Sequence, residues 1–274
     1  YKVIEDDLKD AAKKLEPSYG SDDLGRATSV AAEALLGKVY LTEKKWSDAV
    51  ALLDNLIQTY SSQYGLLDNI ADVFNVNNEM NKEILFAVRY SKSVIGEGHG
   101  YNDYFKDKSV IYSELKASYG TTDERRDMIE YKKVDANNNV IAKYYDTFDA
   151  TTAKVGFDLP LLRWADVLLM CAEAHNEVAY DGTEDSKAMS SLNLVRGRAK
   201  AVTYTSTELS DQNSFRKAVL EERRLEFPFE LHRWFDLIRT DTAITKDDYL
   251  YPLPKTEVDL INNPLTFPQN PGYN

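Results

Sequence analysis

The sequence predicts a mainly α-helical protein, built of tetratricopeptide-like helical hairpins around a loop-rich insertion that contains short β-strands. Three observations predict it. Apolar residues recur at helical spacing in paired segments near residues 26–60, 161–199 and 211–239. Between the first pair and the second, that spacing gives way to short β-branched and aromatic runs and an Asn-rich turn. With 274 residues and 43% hydrophobic composition the chain can bury a sizeable core, and it reads as a single domain.

Residues 1–16, YKVIEDDLKDAAKKLE, read as an amphipathic helix already under way. They lack a starting Met, a basic n-region and an apolar h-region, which predicts a chain that continues upstream and carries any targeting signal there. Residues 26–60 predict two helices joined at Thr42 to Lys45. In the first, Ala27, Val30, Ala31, Ala34, Leu35 and Val39 mark the apolar face; in the second, Trp46, Ala49, Val50, Leu53 and Leu56 or Ile57 do. Ala31, Ala34 and Gly37 are small enough for close approach, and a hairpin of about 34 residues is the size of a tetratricopeptide unit. Single hairpins cannot bury their apolar faces, so stacking is expected.

Residues 83–150 form the insertion. EILFAVRY, residues 83–90, predicts a short buried strand, and YKKVDANNNVIAKYYD, residues 131–146, a β-hairpin. Between Tyr90 and Tyr145 lie eight of the eighteen tyrosines, a density that implies a use for phenol rings. Residues 161–240 return to helix, near 161–180, 185–199, 211–227 and 230–239, with Pro228 ending one helix by Phe227. Residues 241–274 hold five of the eight prolines, which predicts an extended segment, ordered where Tyr249, Leu250, Tyr251 and Leu253 dock.

Charge and motif content exclude several functions. The chain has 45 acidic against 33 basic residues, a net charge of -12 that repels phosphate backbones, so no nucleic-acid partner is expected. No run of about 18 apolar residues is present to span a membrane. Cys171 is the one cysteine, and the sequence places no metal-ligand spacing around it. His99, His175 and His232 are scattered, with no H-E-x-x-H and no G-x-S-x-G. In EAHNE, Glu173 and Glu177 share a helix face from which His175 points away. No metal site, catalytic residue or cofactor is therefore predicted. GEGHG, residues 96–100, lacks the lysine of a phosphate loop and reads as a flexible loop. Among so many acids no carboxylate pair is singled out for glycosidic chemistry.

The densest segment is ERRLEFPFELHRWFDLIR, residues 222–239, with eight charged residues and four aromatics. Glu222, Glu226, Glu230 and Asp236 balance Arg223, Arg224, Arg233 and Arg239. Guanidinium forks take carboxylates bidentately when sheltered, and Leu225, Phe229, Trp234 and Phe235 supply apolar cover. The segment therefore predicts a structural ion-pair network under aromatic rings, with the reading of a reaction centre as the rival.

The same segment resembles the C-terminal signature of the SusD/RagB family, close to ERR-x-E-[LF]-x-FE-x-HRWFDL-[VI]-R. Upstream, LLRWADVLLMCAEAHNEV and LNLVRGRA resemble that family's next two motifs, and downstream YLYPLPKTEVDLINNPLTFPQNPGYN resembles its ending. RATSVAAEALLGKVYL and SELKASYGTTDERR match further landmarks, so the likeness runs through essentially the whole chain. Pro228 departs from the pattern, the tail is slightly longer, and the family's lipoprotein signal and N-terminal helical portion are missing; the chain looks like the C-terminal part of such a protein. The resemblance implies a SusD-like fold and a glycan-binding lipoprotein on the outer-membrane surface of a Bacteroidetes-type bacterium. It implies a protein that cuts no bonds, partners a SusC-like TonB-dependent transporter in nutrient uptake, needs no cofactor, and meets the membrane only through an N-terminal lipid anchor outside this chain.

A sugar offers an apolar face and a rim of hydroxyls, so its receptor needs flat rings and short polar groups. Residues 92–112 offer both: Tyr101, Tyr104, Phe105 and Tyr112 as rings, with His99, Asn102, Asp103 and Lys106 as polar partners. These are the candidate glycan-binding residues. Trp46, Trp164 and Trp234 fall in scaffold motifs and are assigned to the core. Two rival classes are a tetratricopeptide-type protein-binding scaffold and a polysaccharide-cleaving enzyme. An open concave helical face would favour the first, and two carboxylates lining a cleft beside the tyrosine loop the second.

Overall fold

Helix α1 (Lys2–Lys14) is laid on α2 (Ser29–Thr42), and α2 forms a hairpin with α3 (Trp46–Tyr60). The structure, a computed structural model, describes residues 1–100, 109–133, 139–146, 154–240, 252–264 and 266–270. Thr28 caps α2 by accepting the Ala31 N–H at 3.1 Å, which satisfies one of the donors left orphaned at a helix start. Ala49, Leu53 and Leu56 bury the inner face of α3. A Cβ on Gly37 would lie 2.7 Å from Leu53 Cδ2, so glycine is what lets α2 and α3 close on one another here. Leu35, expected on the apolar face of α2, is 40% exposed, while Leu36 is buried. α2 is enclosed by α1, α3 and a later helix together, so its buried surface nearly encircles it and no single stripe describes it.

That later helix is α6 (Trp164–Val178), which packs against α2, α3, α7 (Lys187–Arg198) and α8 (Gln212–Glu226) and is buried along almost its whole length. Asp211 caps α8 with a capping box to Ser214, and the helix ends at Glu226, two residues before Pro228. Between the helical blocks lie a short helix, α4 (Ile70–Val73), a helix α5 (Ser109–Ala117), and two small antiparallel sheets. β1 (Ile84–Val88) pairs with β4 (Leu159–Arg163), and β2 (Tyr131–Lys133) with β3 (Asn139–Ile141) in the hairpin expected from the Asn-rich turn. β4 occupies residues 159–163, where the sequence reading began a helix at 161. Pro160 and the strand pairing with β1 hold the chain extended until Trp164, whose N–H reaches the Glu83 carbonyl at 2.8 Å.

Residues 1–230 form one compact unit and residues 231–274 a second. The second contains α9 (Arg233–Arg239) and α10 (Lys255–Ile261). The proline count predicts an extended tail, yet α10 is helical because the prolines flank it. Pro254 is its N-cap, Asn262 closes it at φ 45°, and the seven residues between contain none. Gln269 ties the segment by accepting the Leu253 N–H at 2.7 Å and donating to its carbonyl at 3.0 Å. Among the described residues no helix is long and apolar enough to cross a membrane.

Candidate functional site

The fully buried Arg163, at the end of β4, is the hub of a charge cluster. Its guanidinium donates to Glu83 at 2.6 Å, Glu226 at 3.1 Å and Glu230 at 2.7 Å. Arg125 donates to Asp123 at 2.8 Å, Glu222 at 2.6 Å and Glu226 at 3.0 Å. Arg198 bridges Glu83 and Glu226, Arg196 holds Glu222, and Lys143 holds Glu230 at 2.5 Å. Five cations thus meet five carboxylates, which keeps the buried cluster neutral. Burial alone would raise the Glu226 carboxyl, but Arg198, Arg163 and Arg125 outweigh it and hold it at about 2. Rings cover the cluster: the Arg163 guanidinium lies 5.2 Å from the Phe74 ring and 4.9 Å from Phe227.

Residues 222–239 therefore behave differently from the balance their own charges suggest. Glu222, Glu226 and Glu230 take partners from β4, α7 and the 123–146 region. Arg223 takes Asp166 at 2.6 Å, Arg224 takes Glu221, Arg239 takes Asp236 at 2.8 Å, and Arg233 opens α9. The cover also differs. Phe227 is buried, whereas Trp234 is 40% and Phe235 62% exposed, so Trp234 is not a core residue. The partners Glu83, Arg125 and Arg163 escaped the sequence reading because they lie about 60 to 140 residues away in the chain. An arginine flanked by apolar residues, as in LLRW, was the available signal.

One edge of this cluster becomes the wall of a surface cleft of about 530 Å³. The buried Lys143 ammonium donates to the Glu226 carbonyl at 3.1 Å and the Pro228 carbonyl at 3.0 Å as well as to Glu230, and lies 4.6 Å from the Phe74 ring. Burial pushes this amine down to about 8. Tyr144 stacks on Phe157 at 4.8 Å and donates its hydroxyl to the Phe229 carbonyl at 3.3 Å. Phe229 adopts φ 66°, a left-handed conformation rare for a bulky side chain. The next residue, Tyr145, turns outward at the cleft, 46% exposed, with the Lys132 ammonium 5.9 Å from its ring. Asp72, Asn75 and Asn77 also line it. Lys92 pairs with the buried Asp146, whose other oxygen accepts the Gly156 N–H at 2.8 Å. A Cβ on Gly156 would stand 2.5 Å from the Lys92 backbone nitrogen, so only glycine allows this approach.

Of the candidate residues from the sequence, His99 is half-buried between Tyr90 and Phe157, with ring centroids 4.2 and 4.5 Å away. Its Nε2 donates to the Phe157 carbonyl at 2.9 Å, and its backbone forms a bridge with Val155. Burial lowers its basicity. Tyr101, Asn102, Asp103, Tyr104, Phe105 and Lys106 lie outside the described residues, as does the side chain of Tyr112, whose backbone is in α5. Lys92 and Tyr145, at the two ends of the tyrosine-rich region, are brought to one cleft. Tyr145 was missed because in a strand-turn reading it carried no more signal than its neighbour Tyr144.

The sequence places no metal-ligand spacing around Cys171, and in the folded chain two side chains of metal-ligating type lie beside it. Cys171 and His175, one turn apart on α6, both face Asp54 of α3. Spacing within one helix cannot reveal a side chain supplied by another, which is why Asp54 is not legible from the sequence around Cys171.

The chain belongs to the SusD family, whose model matches residues 75–247. It is 28% identical to a SusD-like protein P25 of Formosa agariphila over 314 residues, covering 93% of this chain and 58% of that protein. A SusD-like protein of Bacteroides ovatus is 26% identical, covering 87% of this chain and 50% of its own length. The chain thus spans between a half and three-fifths of the length of these relatives. Among solved structures it resembles surface glycan-binding protein A from Bacteroides thetaiotaomicron in complex with laminarihexaose. The TM-score is 0.73 at 20% identity, over 98% of this chain and 70% of that one. A SusD superfamily protein from Parabacteroides distasonis gives a TM-score of 0.74 at 22% identity, over 99% and 68%.

Proposed function

We propose that this protein captures oligo- or polysaccharide at the cell surface and delivers it to a SusC-like TonB-dependent transporter of the outer membrane, without cutting bonds. In this reading it acts as part of a longer lipoprotein, anchored through an N-terminal lipid. Family membership supports it, and the observation that carries it is the cleft in which Tyr145 stands exposed among Asp72, Asn75, Asn77 and Lys132. A ring available for the apolar face of a sugar, beside short amides and charges for its hydroxyls, is the chemistry such a ligand requires. The carboxylate of Asp146 is committed to Lys92 and Gly156, a positioning role that supports recognition over acid–base chemistry. The rings Tyr101, Tyr104 and Phe105, with their polar neighbours, are proposed as further glycan-binding residues.

The test is a glycan panel scored both for retention and for new reducing ends. Retention without new ends, reduced by Tyr145→Ala, is the expected result. New reducing ends would replace this reading with that of a polysaccharide-cleaving enzyme, and capture of proteins with no glycan retention would favour the tetratricopeptide-type scaffold.

A further inference from the structure

On the side of α6 facing α3, three different metal-ligating side chains converge. His175 Nε2 lies 3.1 and 3.0 Å from the two Asp54 oxygens, and Cys171 Sγ lies 3.5 Å from Asp54 Oδ1. One ligand atom from each falls within 4.8 Å of the others. The thiol is fully buried, while the His175 and Asp54 side chains are 25% and 35% exposed, so the cluster opens to solvent on one side. None of the three takes part in the charge cluster or the cleft.

We propose that Asp54, Cys171 and His175 form a zinc-binding site, with its fourth coordination position open to water.

Zinc bonds of roughly 2.0–2.3 Å to sulfur, nitrogen and oxygen place tetrahedral ligands about 3.3–3.8 Å apart. The separations above need adjustments of about 1 Å or less to reach that geometry. The mixed set of one thiolate, one imidazole and one carboxylate selects a borderline-soft ion over calcium or magnesium, which take oxygen ligands. On binding, the Cys171 thiol loses its proton to solvent as the metal–sulfur bond forms. The neutral imidazole moves its ring proton from Nε2 to Nδ1, freeing Nε2 to ligate. The Lys187 ammonium, 4.0 Å from Asp54 and about half exposed, is the cation the metal displaces from the carboxylate. The ion would join α3 to α6 at the centre of the helical block. Without it, the His175–Asp54 hydrogen bond is a simple tie between helices.

The test is a titration of the chelator-treated full chain with cobalt(II) alone, then zinc. The expected result is one equivalent bound with a thiolate-to-cobalt charge-transfer band, bleached by zinc, and a higher melting temperature with zinc. Cys171→Ser should remove the band, His175→Gln should weaken binding at least about tenfold, and Lys187→Ala should preserve or tighten it. A wild-type chain that shows no band, or that binds zinc no better than the Cys171→Ser, His175→Gln double variant, overturns the proposal. The wild-type spectrum decides on its own even if a variant fails to fold.

Discussion

Replacing Glu226 by Gln tests the charge cluster with almost no change in volume. The side chain accepts from Arg125, Arg163 and Arg198 at 3.0, 3.1 and 2.5 Å, and all four groups are buried. Its carboxyl titrates at about 2 in the folded chain against an ordinary 4.5. At about 1.4 kcal/mol per pH unit the difference is worth about 3 kcal/mol at neutral pH. Leaving a buried cation uncompensated costs about 3–5 kcal/mol by a separate route, in agreement. The sign follows from the depressed pKa: the contribution is complete above pH 4.5 and is lost as pH falls towards 2. Glu226→Gln should therefore lower the melting temperature of the 1–230 unit by about 10 °C at pH 7, at roughly 2–4 °C per kcal/mol. The gap between variant and wild type should then narrow steadily in urea melts taken from pH 5 to pH 2.5. A loss under 1 kcal/mol, or a gap that does not change with pH, would refute the assignment of Glu226 as an ionised hub.

Tyr145→Ala should weaken glycan binding about fivefold, the worth of one aromatic platform at about 1 kcal/mol, and leave the melting temperature unchanged because the ring is half exposed. Affinity electrophoresis checks the first and calorimetry the second. Joint replacement of Tyr101 and Tyr104 by Ala should abolish retention with the melting transition in place; persistence of retention would remove that loop from the site. Gly156→Ala forces a methyl to within 2.5 Å of the Lys92 backbone nitrogen, and should cost about 1–3 kcal/mol in chemical denaturation while also impairing retention. Burial, then the Asp158 carboxylate, push the Glu79 carboxyl up to about 7. A raised carboxyl disfavours the folded state once ionised, so wild-type stability should fall as pH rises from 4.5 through 7. Glu79→Gln should remove that fall, worth on the order of 1–2 kcal/mol after screening of a half-buried group, as read in denaturation midpoints at pH 5 and pH 8.

What the sequence made legible was periodic or local. The α2–α3 hairpin, β1, the β2–β3 hairpin and the stop before Pro228 all follow from spacing and turn chemistry over a few residues. What it hid was set by distant partners. Leu35 and Leu36 exchange roles because three helices enclose α2. Asp54 reaches Cys171 across 117 residues. The partners of Glu226 are supplied by Arg125, Arg163 and Arg198, no two of them on one element. Tyr144 and Tyr145 look alike in sequence, and only the packing of one against Phe74 and Phe157 decides that the other faces the cleft.

That last alternation links the scaffold to recognition. The Lys143 ammonium has three hydrogens and three oxygen acceptors around it: the Glu226 carbonyl, the Pro228 carbonyl and the Glu230 carboxylate. With Tyr144 also bonded to the Phe229 carbonyl, residues 143 and 144 are fixed by four directional bonds to the turn that follows α8. Residues 142–144 form a single 3-10 turn, and the backbone becomes extended at Tyr145, whose ring is exposed while that of Tyr144 is buried. An apolar wall of equal volume would bury residues 143 and 144 as well, but would leave the chain free to slide along it. The charge cluster thus fixes which tyrosine faces the cleft. A ring presented this way would lose little freedom on binding a glycan, which under the proposed function would keep the ordering cost low.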